Sequence, residues 1–167
     1  MPSAPIDVSV QCASDIPPST NLVATDNCNE MISATPTDAM TPGNCPNNFT
    51  IVRTWIFTDD CGNSNTLSQN IIVNDDIAPT APSPPMEVSI QCADDIPAPV
   101  DLIATDNCSE DITASPTAEI ISGTCPNRFT MIRTWIFTDD CGNSSTCLLY
   151  TSPSPRDATL SRMPSSA

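Results

Sequence analysis

Hydrophobic and polar residues alternate along the segment 49–58, which reads FTIVRTWIFT. Its β-branched and aromatic residues favour a strand, and the Asp-Asp-Cys-Gly-Asn that follows is a turn sequence. At a period of two, one face of this strand carries Phe49, Ile51, Arg53, Trp55 and Phe57. The apolar members of that face would fill a core. We therefore predict a long, half-buried strand, with residues 65–74 returning beside it as a hairpin partner.

Shorter strand-like segments precede this hairpin, at residues 6–11, 22–25 and 32–35. Prolines and polar residues separate them, and no stretch shows a sustained helical period. Several short strands spaced by turns predict an all-β sandwich of the immunoglobulin-like kind.

The chain contains this pattern twice. When residue n is laid over residue n+80, the run RTWIFTDDCGNS at 53–64 recurs letter for letter at 133–144. A unit of roughly 80 residues has the size of a small domain and exceeds the roughly 20–45 residues of a solenoid repeat. We therefore predict two tandem β-sandwich domains over residues 5–77 and 86–146. A proline-rich linker over residues 78–85 would separate them.

Each repeat carries four cysteines, at successive spacings of 16, 17 and 16 residues. An even number in a unit under 100 residues is typical of a disulfide framework in an extracellular compartment. A structural zinc site is the alternative, but such sites usually contain paired C-x-x-C motifs, which this sequence lacks. We therefore favour disulfides over zinc.

An immunoglobulin-like strand order suggests how these cysteines pair. It places the first and third cysteines of a repeat at one end of its sandwich, and the second and fourth at the other end. Each bond would close a loop of about 33 residues, worth roughly 3–4 kcal/mol on the chain-entropy model. The predicted pairs are Cys12–Cys45, Cys28–Cys61, Cys92–Cys125 and Cys108–Cys141.

At these residues the chain resembles the hyalin-repeat (HYR-like) family. The motifs that carry the resemblance are ATDNC at 24–28, RTWIFTDDCGN at 53–63 and IIVNDDIAP at 71–79, and it covers nearly all of residues 5–146. The resemblance implies immunoglobulin-like modules that occur in tandem in large bacterial surface and secreted proteins. It further implies adhesion or spacer roles and no catalytic residues.

The composition argues against several classes of function. The chain has 20 acidic and 5 basic residues and a formal net charge of −15, which disfavours nucleic acid and anionic membranes as partners. It has no histidine and no lysine, so the usual general bases and amine nucleophiles are missing. No apolar run approaches the roughly 20 residues of a membrane span. We therefore predict a protein that is not an enzyme and does not insert into a membrane.

Paired carboxylates are the residues best suited to bind a ligand. They occur at 59–60, 75–76, 94–95 and 139–140, and most simply they cap turns and cover an acidic surface. The functional alternative is Ca²⁺, which prefers hard oxygen ligands. The predicted topology brings the end of the first sandwich to the start of the second, where a calcium ion would stiffen the joint. The candidate ligands are Asn74, Asp75, Asp76, Asp106, Asp139 and Asp140.

The repeat ends abruptly after Thr146. The first copy continues LSQNIIVNDD at this point, whereas the second continues CLLYTSPSPRD. This new text resembles a reading-frame translation of a transposase-based sequencing adapter; the alternative is a natural disordered Ser/Pro-rich tail. We therefore exclude residues 147–167 from the fold and expect the second sandwich to lack its last strand. The tail would be either disordered or forced into the vacant strand position.

Three functions are compatible with these features. The leading hypothesis is a non-catalytic extracellular or cell-surface repeat, for structure or adhesion, which acts as a spacer beside neighbouring repeats of the same chain. The second is a module that binds a glycan or a protein, which would predict exposed aromatic residues in loops. The third is an accessory segment of a secreted enzyme. Because residues 2–5 match the linker residues 82–85, we expect a fragment of a longer array.

Overall fold

The computed structural model describes residues 2–27, 31–88, 90, 93–124 and 128–152. The fold is all-β with two tandem domains, as predicted. The chain divides into two compact units. Unit 1 comprises Met1–Ala78 together with Asp106–Glu110 and Asp139–Asn143; unit 2 comprises Pro79–Thr105, Asp111–Thr138 and Ser144–Ala167. Two loops of the second repeat therefore belong to unit 1.

The described part of unit 1 folds into two β-sheets. Its strands are β1 (Val8–Val10), β2 (Leu22–Thr25), β3 (Met31–Ala34), β4 (Thr37–Pro42), β5 (Asn48–Thr58) and β6 (Ser64–Asn74). One sheet has the order β1-β6-β5-β4, and β2 pairs with β3 in the other. The predicted hairpin is confirmed, because β5 and β6 pair antiparallel over their full length. Strand β1 runs parallel to the end of β6.

The core of unit 1 lies between the inner face of β5 and the β2–β3 hairpin. Trp55 and Phe57 are buried there against Ala24 and Ala34. The alanines are small enough for the two layers to approach the aromatic rings closely. Trp55 donates its Nε1–H to the Thr20 carbonyl at 2.9 Å, which satisfies the polar atom of the indole. The period-two pattern thus predicted the buried face correctly.

Unit 2 repeats this arrangement with shorter elements. Its described strands are β7 (Leu102–Ala104), β8 (Ile112–Ala114), β9 (Thr117–Ser122), β10 (Phe129–Thr138) and β11 (Ser144–Thr151). They form a β11-β10-β9 sheet and a β7–β8 hairpin. Trp135 and Phe137 fill the core against Ala104 and Ala114. Each unit is therefore a sandwich centred on one tryptophan and one phenylalanine.

The prediction that the second sandwich lacks its last strand is wrong, and residues 147–151 of the tail occupy that strand position, which is the second of the two outcomes expected for the tail. Strand β11 pairs antiparallel with β10 from Thr138–Ser144 to Met131–Thr151. Its residues alternate between buried and exposed, and Cys147 and Leu149 join the core of unit 2. Residues 147–151 of the divergent sequence alternate in burial, and they fill the strand position predicted to be vacant. Residues 153–167 lie outside the described part of the chain.

The predicted linker over residues 78–85 also needs correction. Thr80 exchanges two backbone hydrogen bonds with Thr105, and Ala81 packs against the core of unit 2. Part of the proline-rich segment is therefore incorporated into unit 2. Within the described residues, no helix is long and apolar enough to cross a membrane.

Candidate metal centre

Two disulfide bonds lie within unit 1. Cys12 pairs with Cys108 and Cys45 pairs with Cys141, each with a Cα–Cα distance of 5.1 Å. The predicted pairs Cys12–Cys45 and Cys108–Cys141 are therefore wrong. In terms of sequence, each bond connects the first repeat to the second. These two bonds hold the loops 106–110 and 139–143 to unit 1.

The prediction was wrong in two respects, because Cys12 pairs with the second cysteine of the next repeat and not with Cys45, the third cysteine of its own repeat. Cys12 lies 16 residues before Cys28 and 96 residues before Cys108. The second separation is the first plus one 80-residue repeat, so equivalent positions are offered within a repeat and in the next one. The same relation holds for Cys45, Cys61 and Cys141.

The other predicted disulfides are only partly described. Cys61 is exposed and pairs with no other described cysteine. Cys28, and both members of the predicted Cys92–Cys125 bond, lie outside the described residues. Cys147 pairs with none of the described cysteines and is buried in unit 2, and this burial raises the pKa of its thiol.

Three carboxylates come together in unit 1 beside the disulfide-linked loops. Asp75, Asp106 and Asp139 each place an oxygen within 4.8 Å of the other two. Asp75 and Asp139 are buried, and Asp106 is partly buried. All three belong to the predicted calcium ligands. We refer to these residues as the aspartate cluster.

Asp139 is oriented by the turn that follows β10. Its Oδ1 accepts hydrogen bonds from the backbone N–H groups of Cys141 and Asn143, at 2.9 and 2.8 Å. Its Oδ2 accepts one from the Asn143 side chain at 2.9 Å. The turn depends on Gly142, whose φ of 91° lies in the left-handed region that favours glycine. The same asparagine also donates to the Asp75 carbonyl at 3.2 Å.

Asp106 and Asp75 are held by their own backbone neighbours. Asp106 Oδ2 accepts hydrogen bonds from the N–H groups of Cys108 and Ser109, at 3.0 and 2.9 Å. Asp75 follows β6 directly, and its N–H donates to the Asn47 carbonyl at 2.9 Å. Its Oδ1 accepts a longer bond of 3.3 Å from the Ile77 N–H. Backbone N–H groups of the residues that follow each aspartate thus hold both carboxylates in place.

The other predicted ligands are not part of the cluster. Asn74 accepts a hydrogen bond at 2.6 Å from the side chain of Asn48, across the β5–β6 pair. Asp76 and Asp140 are exposed, as expected for residues that directly follow a buried one in extended chain. Asn143 is the contributor that sequence reasoning missed. The sequence offered one signal for Asn143, because both copies of the RTWIFTDDCGNS run contain this asparagine together with the aspartate it contacts.

The first repeat contains an equivalent turn at Asp59, but among the described residues this aspartate does not belong to a group of three carboxylates. Asp59 accepts hydrogen bonds at 2.8 Å from the Asn63 backbone and side chain, as Asp139 does from Asn143. The Asn63 side chain, followed by its N–H, lowers the pKa of Asp59 below its ordinary value. The loop geometry therefore comes from the turn sequence itself, and the aspartate cluster requires the additional approach of Asp75.

The fold and the disulfides define a class: tandem, disulfide-stapled, immunoglobulin-like β-sandwich modules. Residues 1–73 and 79–151 each match the family model of the HYR-like domain with 4 cysteines. The chain belongs to this family, which confirms the resemblance. HYR-like domains are extracellular, non-enzymatic repeat modules. No curated protein matches the chain.

Proposed function

We propose that this chain is a non-catalytic spacer in an extracellular array of a bacterial surface or secreted protein, where it holds other domains at a set distance. The observation that carries the proposal is the pair of disulfides Cys12–Cys108 and Cys45–Cys141, each of which joins one repeat to the next. Cross-links of this kind limit how far a chain extends under load, which a spacer needs and an isolated binding module does not.

The pairing rule extends naturally to longer arrays. The first and third cysteines of a repeat bond to the second and fourth cysteines of the repeat that follows. By this rule Cys28 and Cys61 would pair with a preceding repeat, and Cys92 and Cys125 with a following one. The exposure of Cys61 supports this assignment, because an exposed thiol is accessible to a partner. The partners of the chain are accordingly neighbouring repeats of its own kind.

The charge and the aromatic residues support a spacer over a ligand-binding module. A net charge of −15 repels nucleic acid and anionic lipid. Glycan recognition favours exposed aromatic rings, but Trp55, Phe57, Trp135 and Phe137 are all buried in the two cores, and the half-exposed Tyr150 lies in strand β11 and not in a loop. A glycan or protein ligand would therefore have to be recognised without these four rings.

Single-molecule stretching of the chain from its two ends tests the proposal. Each disulfide spans 96 residues, and the two spans overlap, so the oxidised chain should extend about 330 Å less than the reduced chain, at ~3.3–3.6 Å per residue. The double variant Cys12→Ser/Cys45→Ser should extend fully without reductant, and Cys61→Ser should behave as the parent does. Equal extension of the oxidised and reduced chains would exclude a length-limiting spacer.

A further inference from the structure

We propose that the aspartate cluster is a calcium site in which Asp75, Asp106 and Asp139 supply the carboxylate ligands. The proposal does not depend on the spacer function, because it rests on the chemistry of one end of unit 1. It is argued from buried oxygen atoms that have no hydrogen-bond donor, from the charge of the cluster and from the way in which the disulfides hold two of its members.

The first observation is that one oxygen of the cluster is buried without a partner. Asp106 Oδ1 is removed from solvent and accepts no hydrogen bond within the described residues, and the same is true of Ser109 Oγ in the same turn. Asp75 is 6% exposed, and Ile77 is the described donor to its Oδ1. An unpaired buried carboxylate oxygen is costly, so such atoms normally have a partner. A cation between the three aspartates would supply it.

The second observation is the charge of the cluster. Three carboxylates within 4.8 Å of one another repel strongly in a partly buried setting, unless a positive charge compensates them. The chain has no lysine or histidine. Among the described arginines, Arg53 pairs with Asp38, and Arg128 and Arg133 belong to unit 2. None of them supplies the compensating charge, so a bound metal ion is the simplest source.

The donor set favours calcium among the common divalent cations. All the proposed protein ligands are hard oxygens, which suit Ca²⁺ and Mg²⁺, whereas the nearby Cys108 and Cys141 are disulfide-bonded and unable to bind a softer metal. Calcium accepts six to eight oxygens in irregular geometry and Mg²⁺ demands a near-ideal octahedron. Three carboxylates on separate backbone segments suit Ca²⁺, because this ion tolerates irregular geometry. Extracellular modules bind calcium with Kd of about 10⁻⁴–10⁻³ M, and we expect that range here.

The disulfides are part of the site, because they hold two of its ligands. Cys108 is two residues after Asp106, and Cys141 is two residues after Asp139. Asp75 belongs to the first repeat and the other two aspartates to the second. Reduction would free the two loops from their covalent partners and lower the effective concentration of the ligands around the ion. Calcium affinity should therefore depend on oxidation.

Isothermal titration of the full oxidised chain with CaCl₂, after chelator treatment and dialysis, tests the site. We expect one ion per chain, a rise in Tm with 10 mM CaCl₂ relative to chelator, and a weaker response to MgCl₂. Asp139→Asn should weaken binding at least tenfold, and reduction should weaken it in the parent. Asp75→Asn is the second variant, and the Tm in chelator reports whether each variant folds.

The internal repeat supplies a matched control. Asp59→Asn makes the same change in the equivalent turn of the first repeat, where the carboxylate accepts hydrogen bonds from the Asn63 backbone and side chain as Asp139 does from Asn143. It should leave calcium binding and the calcium-dependent rise in Tm unchanged. The proposal is wrong if the oxidised parent binds no calcium at 10 mM, if Mg²⁺ binds as tightly, or if Asp59→Asn weakens binding as much as Asp139→Asn.

Discussion

Arg53 and Asp38 lie directly opposite each other on β5 and β4, and the guanidinium donates two hydrogen bonds, of 2.8 and 3.0 Å, to the carboxylate. The side chain of Arg53 is 5% exposed and that of Asp38 is 38% exposed. Arg53 lies on the inner face of its strand, where a charge needs a partner. In the second repeat Arg133 lies opposite Ala118 and donates instead to the carbonyls of Pro97 and Ala98.

Replacement of the acid should therefore destabilise the first sandwich. Asp38→Ala leaves the buried guanidinium with the Pro17 carbonyl as its remaining described acceptor. We expect a loss of about 1–2 kcal/mol in the free energy of unfolding, less than for a fully buried pair because Asp38 is partly exposed to water. Urea unfolding measures this change. In Ala118→Asp, the added carboxylate should stabilise unit 2 slightly. An unchanged free energy of unfolding in Asp38→Ala would show that the ion pair contributes nothing to stability.

The same pair predicts how stability depends on pH. The hydrogen bonds from Arg53 lower the pKa of Asp38 below its ordinary value of 3.8. A carboxyl with a lowered folded-state pKa stabilises the fold above its unfolded pKa, and that contribution is lost as the pH falls from about 3.8 towards the folded-state pKa. Thermal melts from pH 6 to pH 2 should thus show a shallower acid-side decline for Asp38→Asn than for the parent. If Tm falls equally with pH in Asp38→Asn and in the parent, the lowered pKa of Asp38 does not contribute to stability.

The last strand of unit 2 provides a test of core packing. Leu149 is 6% exposed in the core beside Trp135, whereas its neighbour Leu148 is 43% exposed on the opposite face of β11. Leu149→Ala should lower the free energy of unfolding by about 2–5 kcal/mol, and Leu148→Ala by less than about 0.5 kcal/mol. Chemical unfolding monitored by tryptophan fluorescence measures both. Equal, small effects would mean that β11 does not pack as described.

The strands were predictable where one face is buried. The long hairpin of each repeat follows from alternating apolar residues and a turn sequence, because a half-buried strand imposes that pattern. Strand β4 was missed because Thr37–Pro42 is an exposed edge strand with no buried face to mark it. Strand β11 was missed because the sequence after Thr146 no longer matches the repeat. The run CLLYT does not alternate in polarity, yet it fills the strand position with Cys147 and Leu149 inward and Leu148 and Tyr150 outward.

The candidate site was predictable as a set of residues but not as a geometry. Hard oxygen ligands in loops pointed to Asp75, Asp106 and Asp139, whereas the choice between Asp75 and Asp76 depended on which side chain the backbone turns inward. The disulfide prediction was wrong on two points: the first and third cysteines pair with the second and fourth, and these partners lie in the next repeat. Spacing within one repeat carries no information on which repeat the partner lies in.

Disulfide mapping is the most direct test of the central claim that the repeats are joined covalently. Endoproteinase cleavage before aspartate places the eight framework cysteines on eight separate peptides. The Cys147→Ser variant removes the extra thiol from the Cys141 peptide. Under non-reducing conditions, mass spectrometry should find the 7–14 peptide joined to 106–110, and the 38–58 peptide joined to 140–156. Recovery of 7–14 joined to 38–58, or to the peptide that contains Cys28, would contradict the account.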